Sequence, residues 1–183
     1  MNLYFYNQIA ISSAHTKCRE EKLQMVLENE SYLQDLFEIA FNILDKNHHK
    51  AVWIVELVAQ KHFEKIIPFS AKIIENARLY KHQSAKRGIS LTLLYLVNSS
   101  QIIFAETQTE KIITICLDWM IDDSKLVPKW CAMQILQKFS MEYLWLKTEL
   151  RQIIEQDFVQ QTAGYQSMAR KILAYLKVEI QKS

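Results

Sequence analysis

The sequence predicts an all-α chain, built of about four helical hairpins stacked as an αα-superhelix and closed by a C-terminal helix. Composition is the first reason. The 183 residues include only two glycines and two prolines, with 50% hydrophobic residues. Sheet-rich folds need turn residues about every 8–12 positions, and this chain has too few to supply them. Recurrence is the second. Lys50-Ala51-Val52-Trp53, Ser84-Ala85-Lys86-Arg87, Val127-Pro128-Lys129-Trp130 and Ser167-Met168-Ala169-Arg170 each open an apolar helical stretch, at steps of 34, 43 and 40 residues. Such periods mark units that cannot bury their own apolar face and must stack on neighbours.

The third reason is a shared face. At 100° per residue, the positions two before and two, five and six after each marker converge opposite it. They hold Ala51, Val55, Val58 and Ala59; Ala85, Ile89, Thr92 and Leu93; Pro128, Ala132, Ile135 and Leu136; Met168, Ile172, Tyr175 and Leu176. This nearly continuous apolar face is the expected core of the stack.

Taken in order, residues 1–15 show no clear period and are expected as a loosely packed arm ahead of a single repeat domain, 16–183. A polar helix over about 17–28 turns Leu23, Val26 and Leu27 to one side. Ser31 and Gln34 read as a capping box for a helix burying Leu33, Leu36, Phe37, Ala40, Phe41 and Leu44. After the break at Asn47-His48-His49, a helix runs to about residue 61. Its partner carries Ile66, Ile67, Phe69, Ile73 and Ile74, with Pro68 tolerated in the first turn.

A helix over about 83–97 begins the second half, and Thr107 with Glu110 reads as a capping box before Ile112, Ile113, Cys116, Leu117 and Met120. The tetrad Glu110-Lys111-Ile112-Ile113 echoes Glu64-Lys65-Ile66-Ile67. Asp122-Asp123-Ser124 separates this helix from one over about 125–139. Leu144, Trp145, Leu150, Ile153 and Ile154 form its partner, and a last helix spans about 163–180.

The markers Trp53, Arg87, Trp130 and Arg170 point away from the predicted core. Two readings stay open. They pack against adjoining hairpins, supported by Leu57, Leu91 and Leu94 on the same side, with indole–guanidinium stacking between repeats. Alternatively they line a groove that grips a peptide or nucleic-acid strand. If there is a site, it is Trp53, Arg87 and Trp130, with Lys86 and Lys129 supplying charge.

The paired-helix spacing over about 20–180 resembles the HEAT and armadillo-like repeats, whose fold is a right-handed αα-superhelix. Cys116-Leu117-Asp118-Trp119-Met120-Ile121, Lys129-Trp130-Cys131-Ala132-Met133-Gln134 and Glu155-Gln156-Asp157-Phe158 with Tyr165-Gln166-Ser167-Met168-Ala169-Arg170 are similar to a group of small bacterial helical proteins often labelled adenylosuccinate lyase. The lyases proper are longer and share a glycine- and serine-rich loop. Gly88 and Gly164 sit in no such loop, so no catalytic residue carries over.

Other chemistry finds little footing. His15, His48, His49, His62 and His82 make no ligand set of recognised spacing, and His48-His49 reads as a solvated turn, so neither metal nor cofactor is expected. Cys116 and Cys131 read as inert buried thiols, and with Cys18 they form no disulfide frame. The pairs Glu20-Glu21 and Asp122-Asp123 sit at helix starts, where the helix dipole accounts for them. Lys72, Arg78, Lys81, Lys86 and Arg87 outnumber Glu75, a modest basic cluster that gives a nucleic-acid partner some footing, in the manner of the alkylation-damage glycosylases that resemble these repeats. The uncharged run from Gly88 to Ala105 is broken by Asn98-Ser99-Ser100-Gln101, so no membrane span is expected. The expectation is a soluble, cytoplasmic, non-enzymatic module binding a protein or peptide on a concave surface.

Overall fold

The structure, a computed structural model, describes residues 1–180, with side chains through Lys177. The expected repeat domain's residues 181–183 lie outside it. Among the described residues there is no strand. The chain divides into two compact units, Met1–Ile103 and Phe104–Ser183, a boundary inside the segment expected as one repeat domain.

Unit 1 holds α1 (Leu3–Ala10), α2 (Thr16–Glu28), α3 (Glu30–Phe41), α4 (His48–Lys61), α5 (Ser70–Asn76) and α6 (Gln83–Asn98). Its centre is α4, which packs against α2, α3 and α6. Ala51, Val55, Val58 and Ala59 are all buried, as are Ala85, Ile89, Thr92 and Leu93 of α6, so the predicted face is the core. Close helix approach explains Gly88. A Cβ there would come within 2.6 Å of Val52 Cγ1 and 3.4 Å of the Val52 carbonyl oxygen.

Residues 1–15 are not a loose arm. Asn2 caps α1 by accepting a hydrogen bond from the Phe5 amide at 3.1 Å. Phe5 and Ile9 are fully buried, and Phe5 stacks on Tyr32 with centroids 4.6 Å apart. The Tyr6 hydroxyl donates to Asp45 at 3.0 Å and accepts from Asn47 Nδ2 at 3.1 Å, while Lys50 Nζ reaches the Ala10 carbonyl. Eight residues are too few to show a period in sequence, and most of these bonds run to residues more than thirty positions away.

Three local expectations are also corrected. Asn29, not Ser31, caps α3, accepting from the Ser31 amide at 3.1 Å, and Leu44 lies past the helix end, exposed. The stretch from Phe63 to Phe69 is two 3₁₀ turns, with Pro68 in the second. Proline has no amide and disfavours α geometry in the residue before it, so α5 starts only at Ser70. Glu64-Lys65-Ile66-Ile67 therefore has a different local structure from Glu110-Lys111-Ile112-Ile113, which lies within an α-helix.

Unit 2 holds α7 (Glu106–Ile121), α8 (Leu126–Phe139), α9 (Trp145–Asp157) and α10 (Ala163–Ile180). Here α8 is the centre, packing against α7, α9 and α10. Pro128, Ala132, Ile135 and Leu136 are buried, with Ile172 and Leu176 of α10, while Met168 and Tyr175 are half-buried. The start of α7 differs from expectation: Gln108 Oε1 accepts from the Ala105 amide at 3.0 Å, two residues before the Thr107–Glu110 pair would act. At the start of α9, Leu144 and Trp145 are exposed and Leu146 takes the buried place.

Candidate binding surface

Each marker lies on the outer side of its helix. In unit 1, Trp53 is half-buried on α4, its Nε1 donating to Ser84 Oγ and its ring meeting the His49 edge at 5.3 Å. One turn on, Glu56 is buried within an otherwise apolar run. A buried carboxylate needs partners, and two arginines supply them. Arg87 Nη1 on α6 lies 3.0 and 3.2 Å from the two Glu56 oxygens, and Arg19 Nη2 on α2 lies 3.4 Å from Oε2. Arg19 Nη2 also donates to the Trp53 carbonyl at 3.0 Å, while its buried Nε has no hydrogen-bond partner. Three helices thus meet at one carboxylate. The Arg87 side chain remains 47% exposed.

His48 and His49 are not a solvated turn. They open α4 and meet His82, the residue ahead of α6, with the His49 and His82 rings stacked at 4.2 Å and His48 edge-on at 5.9 Å from His82. His48 Nδ1 lies 2.7 Å from the Asp45 carbonyl oxygen. Desolvation lowers the pKa of His49, and the neighbouring His82, His48 and Lys50 lower it further. His82 is lowered by desolvation and by His48. The rings stack rather than converge, and no group of described residues is arranged to hold a metal ion.

In unit 2, Trp130 is half-buried on α8 and Arg170 lies over the Phe158 ring at 5.3 Å. Lys129 is buried, its Nζ 3.3 Å from Asp157 Oδ2. Lys86 of unit 1 is buried as well. Both were expected to supply charge at a binding surface; helix geometry instead turns them inward, next to the outward markers. The expected indole–guanidinium pairing gives way in both places: Arg87 meets Glu56, and Arg170 meets a phenylalanine. Cys116 and Cys131 are buried, and burial holds the Cys116 thiol well above its ordinary pKa.

Comparison with known proteins places this architecture. The family model for the HEAT repeat domain matches residues 9–176. The chain belongs to the HEAT repeat family. No curated protein and no solved structure matches it. Among the described residues, no helix of this HEAT-repeat chain is long and apolar enough to cross a membrane.

Three members of the basic cluster have contacts or burial of their own in the fold. Lys72 lies 5.4 Å from the Phe41 ring, Lys86 is buried and Arg87 is bound to Glu56. Sequence reading missed Arg19, Glu56, Ser84 and His82 as members of the unit 1 site. Only Glu56 carried a signal, as a lone charge inside the apolar run from Ala51 to Ala59. The other three lie 31 or more residues from their partners, beyond any local pattern.

Proposed function

We propose that this HEAT-repeat chain is a non-enzymatic interaction module that binds a protein or peptide on the helical-repeat surface of unit 1, with Arg87 and Trp53 as anchors. The observation that carries this reading is the state of Arg87. Its Nη1 is fixed by a buried carboxylate while about half of the side chain faces solvent. A guanidinium already held in place loses little rotamer entropy on binding, and its remaining donors suit a carboxylate or a carbonyl. Trp53, held by Ser84 and His49, offers an equally rigid aromatic surface beside it.

Affinity capture from the native cell, quantified by mass spectrometry, tests the reading. Proteins recovered with the wild type should fall at least about tenfold with Arg87→Gln, the scale of an interface hot spot. Arg19 still partners Glu56 in that variant, so the helical signal and Tm should stay near wild type. Unchanged recovery defeats the reading, and a large loss of Tm assigns Arg87 to packing. Incubation with adenylosuccinate should release no fumarate.

A further inference from the structure

A second surface lies wholly within unit 2 and owes nothing to Arg87. The chain leaves α8 through a tight turn, in which the Glu142 and Tyr143 amides bond back to the Phe139 carbonyl at 3.0 and 2.9 Å. That turn brings Tyr143 and Trp145 alongside α7. Between them lies an open groove of about 330 Å³ lined by Glu110, Ile113, Thr114, Leu117, Tyr143 and Trp145. Its floor is apolar and its rim is unusual. Trp145, a large apolar side chain, is left 54% exposed at the mouth.

The charged groups that act on the phenol at this mouth are all acidic. Glu106 and Glu110 approach from α7 and Glu142 from the turn, all three exposed, and all three act on the Tyr143 phenol. Desolvation raises that phenol's pKa first, and the three carboxylates raise it further. An indole and a phenol flanked by carboxylates form a site for a cation. The ring faces attract it, the carboxylates pair with it, and the apolar floor takes an alkyl stem.

We infer that the groove between α7 and the α8–α9 turn docks a basic peptide segment, with an arginine or lysine side chain lying across Trp145 and Tyr143 and paired with Glu110. Arginine fits better than lysine, because its planar fork stacks on an indole and pairs with a carboxylate at once.

Fluorescence anisotropy with a fluorescein-labelled hexa-arginine peptide tests this on the full chain, with hexa-glutamate as the opposite-charge probe. Hexa-arginine should bind and hexa-glutamate should not. Trp145→Ala and Glu110→Lys should each weaken binding at least about tenfold, while Trp145→Phe retains most of it. Glu21→Lys, which makes the same charge change on α2 of unit 1, should change it less than about twofold. Trp145 is exposed, so its variants should keep the wild-type helical signal. Equal losses from Glu21→Lys and Glu110→Lys would overturn the proposal, reducing it to general charge attraction. So would a sedimentation result in which the wild type pairs with itself and Trp145→Ala is monomeric, since a second copy would then be the occupant.

Discussion

The two units are each built around one helix carrying a tryptophan in the same register, yet three residues further on they differ. After Trp53 in α4 comes Glu56; after Trp130 in α8 comes Met133, fully buried. Unit 2 fills that interior position with a flexible apolar side chain. Unit 1 fills it with a carboxylate and must bring Arg19 and Arg87 from two other helices to satisfy it. The repeat thus fixes where the position is buried, not what chemistry occupies it. A buried ion cluster is weak evidence for stability. Its effect in unit 1 is to fix one half-exposed arginine on the surface.

Swapping the two residues should break this contrast most sharply. Met133→Glu puts a carboxylate in the unit 2 core, and urea unfolding should show a loss of about 4 kcal/mol or more. Glu56→Met strands the guanidinium of Arg19, which is only 16% exposed in its side chain, and should cost about 3 kcal/mol. Adding Arg19→Met should recover much of that loss. If Glu56→Met alone is neutral, the cluster is not a satisfied ion network.

A smaller contrast separates the two glycines. Gly88 faces Val52, a β-branched side chain in the buried core, whereas Gly164 faces only the Leu126 side-chain tip at 2.9 Å, on a residue that is partly exposed. Gly88→Ala should cost about 1–2 kcal/mol net, despite the roughly 1 kcal/mol that alanine contributes in a helix. Gly164→Ala should stay within about 0.5 kcal/mol of wild type, because a leucine tip can rotate away. Equal effects at both positions would remove the distinction between a rigid and a yielding neighbour.

The smallest expected effect follows from histidine, all of which lies in unit 1. His49 and His82 have lowered pKa values when folded, so the unfolded chain binds protons first as pH falls. Their contribution is therefore intact above the ordinary value of 6.5 and is lost as pH drops through the lowered folded values. Urea midpoints measured at about pH 7.5 and about pH 5.5 should fall less for His82→Gln than for wild type. An identical fall in both would remove the imidazole stack as a source of acid sensitivity.

These contrasts also show how much was legible beforehand. The all-α class and the apolar face of each marker helix followed from spacing alone, because a helix has one period and burial selects one side of it. Where bonds cross between segments, spacing carried nothing. Phe5 is buried because Tyr32 lies against it, and α1 could not be read from eight residues with no period of their own. Lys86 and Lys129 were expected outside because lysine favours water, but a position next to an outward marker on a helix turns inward. Leu144 and Trp145 were expected inside because they are apolar, and the turn after α8 leaves them out.

The sequence by itself determined where helices form and which side of each is apolar, since both depend on residues within a few turns of one another. Only the tertiary structure decided that Glu56 gathers Arg19 and Arg87, that His82 stacks on His49, and that Trp145 stands beside Glu110. Those meetings depend on which helices pack together, and no periodicity along one helix encodes the charge that waits on the next.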